Sequence, residues 1–82
     1  MTTPRSEFET LLHEVSQKLT TDDIEQIMDL LLANELGVAF ENLCTQLYER
    51  DAVCTKDQID QITRIGNALK IDSDYWQGLP IR

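Results

Sequence analysis

The sequence predicts an all-α fold: a compact, four-helix bundle-like domain with a short C-terminal fifth turn. Three observations carry that prediction. Apolar residues recur at helical spacing in four separate stretches, the pattern of helices that each bury one face. Between these stretches lie start and stop signals, with Ser, Thr or Asp three residues ahead of Glu or Gln, and Asn or Gly at the far ends. Only three Gly and two Pro interrupt 82 residues that are 41% hydrophobic, a balance that suits a packed unit and not a disordered tail.

The first helix is expected to start at Thr3-Pro4 or at Ser6. Pro4 suits a first helical position, and Ser6 with Glu9 has capping-box spacing. Phe8, Leu11, Leu12, Val15 and Leu19 give its apolar face, with His13 beside the stripe as a boundary residue. Thr20-Thr21-Asp22-Asp23 is a break and restart. Thr21 or Asp22 is expected to cap a second helix, with Glu25 completing a box with Asp22. Ile24, Ile27, Met28 and Leu31 are expected to face inward, with Leu30 and Leu32 widening that side.

Asn34 is a candidate left-handed C-cap at the corner Asn34-Glu35-Leu36-Gly37. The third helix follows. Leu36, Phe40, Leu43 and Leu47 form its stripe, with Cys44 and Tyr48 expected to widen it. After the turn Arg50-Asp51-Ala52-Val53-Cys54, Thr55 and Gln58 make a capping box that opens a fourth helix, with Ile59, Ile62, Ile65 and Leu69 inward. Gly66 interrupts this last stripe. An interior glycine costs up to about 1 kcal/mol against alanine, so close approach of a neighbouring helix is the expected compensation. Asp72 caps a short final turn that Gly78 and Pro80 end, and Tyr75 and Trp76 are expected to fold back and plug one end of the bundle.

Length allows one domain, residues 1–82, near the lower limit for folding without a staple. No apolar run approaches the roughly 20 residues of a membrane span, and the N-terminal stretch has no signal-peptide core, so the expected location is cytoplasmic. Cys44 and Cys54 are expected to be reduced there, Cys44 as a small core hydrophobe. Two Cys and one distant His make no metal-ligand set.

Charge is the strongest functional signal. The formal charge is −8, and from Leu19 to Glu49 the chain carries Asp22, Asp23, Glu25, Asp29, Glu35, Glu41 and Glu49 with no Lys or Arg. Asp22, Glu25 and Asp29 are neighbours on one outer helix face, where like charges destabilise by a few tenths of a kcal/mol each. The helix N-terminus offsets this for Asp22 and Glu25 but not for Asp29. Binding to nucleic acid or to an anionic membrane is disfavoured. A cationic protein surface is the partner this pattern suits.

Catalytic motifs are lacking. The chain has no HExxH, no Gly-rich phosphate loop, no Cys-X-X-Cys, and only one His for any nucleophile–base set. The Asp-Ser of acyl carrier proteins occurs only as Asp72-Ser73, far from the second helix, and an EF-hand read from Asp72 has Gln77 where glycine is required. No enzyme activity, cofactor or metal is therefore expected.

Gly37-Val38-Ala39-Phe40-Glu41-Asn42-Leu43-Cys44-Thr45-Gln46-Leu47-Tyr48-Glu49 fits a Gly-x-Ala-x-Glu-x-Leu-x-x-x-Leu-x-Glu pattern. Ile65-Gly66-Asn67-Ala68-Leu69-Lys70-Ile71-Asp72 and Tyr75-Trp76 follow it at suitable distance. In order and spacing this resembles the MafI-type immunity proteins and the small helical immunity proteins of contact-dependent growth inhibition, over roughly residues 20–79. The resemblance implies a toxin inhibitor, a cytoplasmic antidote that binds the C-terminal domain of one cognate bacterial toxin, commonly a nuclease such as an RNase. It carries over no contact residues. Charge and placement nominate them instead: Asp22, Glu25, Asp29, Glu35, Glu41 and Glu49 as the acidic surface, with Tyr48 as an aromatic anchor and Trp76 as a second choice. The alternative function is a helical adaptor for a basic segment of a cellular protein.

Overall fold

The computed structural model describes residues 3–82. Four helices, α1 (Pro4–Val15), α2 (Thr21–Leu32), α3 (Leu36–Glu49) and α4 (Lys56–Ala68), alternate with short connections, and one-turn 3-10 segments occupy Ser16–Lys18 and Ser73–Tyr75. Among the described residues there is no β-strand. A single parallel bridge joins Cys54 to Ile81. There the Cys54 N–H donates to the Pro80 carbonyl and the Arg82 N–H to the Cys54 carbonyl, each at 2.9 Å.

Threonine starts three of the four helices. Thr3 is extended and caps α1 with Pro4 next, its hydroxyl accepting from the Ser6 N–H at 3.1 Å. The Thr3-Pro4 start therefore holds, and Ser6 closes the box instead of opening one. In α2 the cap is Thr20, one or two residues earlier than expected, and Asp23 takes the place assigned to Glu25. Thr55 and Gln58 cap α4 as the spacing predicts. Asn34 turns the chain between α2 and α3 at φ 61°, as predicted.

The helices pack as two pairs, α1 against α4 and α2 against α3. Phe40 of α3 joins the pairs. Its ring lies 6.3 Å from that of Phe8 in α1 and 5.7 Å, edge-on at 77°, from the Trp76 indole. Around it Leu11, Val15, Ile27, Leu43, Leu47, Ile62 and Ile65 are fully buried. Each such side chain contributes about 1.5–3 kcal/mol on burial, which explains how a chain this short holds a core.

Several side chains lie elsewhere than periodicity suggests. Met28 and Leu32 are exposed, because α2 meets the core chiefly through Ile27 and Leu31, with Leu30 at its edge, and the residue after each buried one is about 100° round the helix. Tyr48 follows Leu47 in the same way and is 58% exposed, so it stands outside the buried stripe. In the terminal turn only Trp76 goes inward. Tyr75 is 40% exposed, since consecutive residues of a 3-10 turn diverge by about 120°. The indole, not a neighbouring helix, is what approaches Gly66: a Cβ at this position would fall against Cη2 and Cζ3 of Trp76.

Cys44 and Cys54 are both buried and unpaired with one another. Among the described residues no helix is long and apolar enough to cross a membrane.

Candidate functional site

The acidic segment divides into a clasp and a surface. Asp23 is the clasp. Its carboxylate is 8% exposed and accepts from Arg50 Nε at 3.0 Å, from Arg50 Nη2 at 3.1 Å and from the Thr20 N–H at 3.0 Å. The guanidinium beside it, then the Thr20 N–H, hold its pKa below the ordinary value of 3.8, and the same pairing raises that of Arg50. Arg50 is the C-cap of α3, where the helix dipole favours a cation, so one ion pair ties the start of α2 to the end of α3. Asp23 is thereby withdrawn from any docking face.

The remaining acids stay outside. Asp22, Glu25 and Asp29 are exposed along one face of α2, and Glu35 is exposed at the corner before α3. No cationic side chain belongs to α2 or α3. Glu41 is half-buried on the flank of α3 beside Cys44. Burial, then the neighbouring Cys54 and Glu41, push the Cys44 thiol up to about 12, which keeps it neutral and a poor nucleophile. Burial raises the Cys54 thiol as well.

At the end of α3 the fold brings two nominated residues, Tyr48 and Glu49, together with three that were not. Thr45, Tyr48 and Glu49 line a shallow groove of about 250 Å³ with Asp74 and Tyr75 of the terminal turn. The turn is set by Asp72, whose side chain accepts from the Asp74 N–H at 2.9 Å, and by Trp76, which is driven inward and leaves Tyr75 on the rim. The capped turn was legible from Asp72. Its meeting with Tyr48 was not, because contacts distant in sequence, Trp76 with Phe40 and with Gly66, bring them together.

A larger cleft of about 390 Å³ opens between α1 and α4, lined by Ser6, Glu7, Thr10, Gln61 and Arg64. It offers no thiol, imidazole or second carboxylate for an acid–base pair. Among the described residues no three His, Cys, Asp or Glu side chains are grouped to hold a metal.

The described residues thus present two surface features, a carboxylate row on α2 and a Tyr-and-acid groove at the end of α3. Comparison with protein-family models, curated proteins and solved structures finds no match to the chain.

Proposed function

We propose that this chain is an immunity-type antidote that binds one basic toxin domain, most simply a nuclease, and covers its substrate cleft with the acidic surface of α2 and α3. The observation that carries the reading is the exposed row Asp22, Glu25 and Asp29 on a helix with no cation of its own. A sequence tuned for stability alone would relieve that row with lysine. A nuclease cleft must present Lys and Arg to phosphates, so carboxylates aimed at it give steered, fast association and exclude the substrate. The resemblance at α3 and the terminal turn points the same way, and a protein acting inside the producing cell agrees with two unpaired, buried thiols.

The test uses the product of the reading frame immediately upstream, coexpressed as the toxin domain. The chain is expected to rescue growth and to copurify with that domain. Changing Asp22, Glu25 and Asp29 together to Lys is expected to slow association at least about tenfold at low salt while leaving the helical signal unchanged. Full rescue and unchanged association by the triple variant would remove this face from the mechanism.

A further inference from the structure

The groove at the end of α3 has a composition that plain solubility does not require. Two tyrosines from separate elements line it, Tyr48 at 58% and Tyr75 at 40% exposure, and the acids Glu49 and Asp74 share its walls. Among the described residues no cationic side chain lines it. Arg50, the nearest cation in sequence, is turned to Asp23 through two hydrogen bonds of 3.0 and 3.1 Å and so does not fill it from within. We propose that this groove receives one arginine side chain of the partner protein, held against Tyr48 and Tyr75 and paired with Glu49 and Asp74. The inference rests on the reading of the chain as a binder of a cationic protein, and it names the contact that supplies specificity.

The chemistry selects arginine. A guanidinium stacks on an aromatic face and forks to carboxylates at the same time, whereas an ammonium is a compact, strongly hydrated point charge. A groove of about 250 Å³ admits one long side chain and not a helix. Its walls stand on ordered elements. Tyr48 rises from the last turn of α3, and Tyr75 precedes a Trp76 that is locked against Phe40 and Gly66. Gly78, at φ 88°, lets the chain turn back past the Tyr48 ring, where an added Cβ would lie 3.8 Å from Cε2.

The experiment is a titration of the 15N-labelled full chain with three capped tripeptides, Gly-Arg-Gly, Gly-Lys-Gly and Gly-citrulline-Gly, followed by amide shifts. It is run at about 0.15 M salt, where the Debye length of about 8 Å isolates the groove from distant charges. The arginine peptide is expected to move the amides of Thr45, Tyr48, Glu49, Asp74 and Tyr75. The lysine peptide should bind several-fold more weakly, and the uncharged citrulline peptide should produce no shift. Tyr75→Leu and Tyr48→Ala should each weaken the arginine peptide about fivefold. Both side chains are exposed, and unchanged Trp76 emission will show that the fold is intact. Shifts centred on Asp22, Glu25 and Asp29, equal shifts with citrulline, or none at millimolar peptide would each overturn the proposal. The lysine variant of the α2 row separates the two readings. If its groove shifts persist while its toxin association is unchanged, the α2 surface is wrong and the groove stands; if the peptide moves only α2 amides, the reverse holds.

Discussion

Replacing Gly66 by alanine tests the packing on which the terminal turn depends. Taken as a helix substitution alone, Gly66→Ala should stabilise α4 by up to about 1 kcal/mol. The tertiary setting reverses the sign. The new methyl would lie deep inside contact distance of Trp76 Cη2 and Cζ3, with Cζ2 also at 3.1 Å. The opposing atoms belong to a rigid ring that is 6% exposed and braced edge-on by Phe40 at 5.7 Å. Small overlaps absorbed by repacking cost about 1–3 kcal/mol. This one involves ring atoms that cannot swing aside, so the indole must leave, with a loss comparable to the roughly 3–5 kcal/mol of a buried Trp truncation. Subtracting the propensity gain leaves a net destabilisation of about 2–4 kcal/mol, a large part of the roughly 5–15 kcal/mol that holds an ordinary domain. Urea unfolding read by the single Trp measures it directly. The native emission of the variant should also move toward that of a solvated indole. In a Trp76→Leu background the same substitution should no longer destabilise and should recover the propensity gain of up to about 1 kcal/mol, since the obstacle is gone. A Gly66→Ala protein as stable as its parent, with unchanged emission, would show that the indole does not rest on this glycine.

Asp23→Asn should lower the thermal midpoint by about 5–10 °C through loss of the charge-assisted pair with Arg50. The folded-state pKa of Asp23 lies below 3.8, so the unfolded chain takes up this proton first. The stabilisation is therefore complete above that value and is lost as pH falls through the folded pKa, and the variant should show a shallower acid limb in melts followed by circular dichroism. With its pKa near 12, Cys44 should react with a thiol reagent only through opening of the fold. Its labelling rate, read by intact mass, should rise in Gly66→Ala by the factor that urea unfolding assigns to that variant.

How far the sequence discloses the fold depends on the distance over which each signal acts. Phe8, Leu11, Ile27, Leu31, Phe40, Leu43, Ile62 and Ile65 declare themselves by spacing alone, because the period of a helix is local. The caps were harder to place. Thr20 was passed over because Asp23, not Glu or Gln, completes its box, and a short carboxylate reaches that N–H equally well. Arg50 lies 27 residues beyond Asp23, so no window reveals that one acid of the segment is neutralised. Tyr75 and Trp76 are adjacent aromatics of nearly equal burial preference. Only the space over Gly66 decides that the indole enters and the phenol stays out. Of the candidate surface, the α2 row was legible in full and the groove only by half, through Tyr48 and Glu49.

The pairing of α1 with α4 also bears on how the protein is made. A growing chain makes Pro4–Val15 well before the helix that covers it, Lys56–Ala68. Phe8, Leu11 and Val15 therefore have no full partner until α4 has been made. Any α2–α3 hairpin formed earlier would wait, clasped by Asp23 and Arg50, with the side of Phe40 that Trp76 covers still open. The core should consequently close in one step that waits for α4 and the terminal turn, leaving its apolar faces open to aggregation and proteolysis until then.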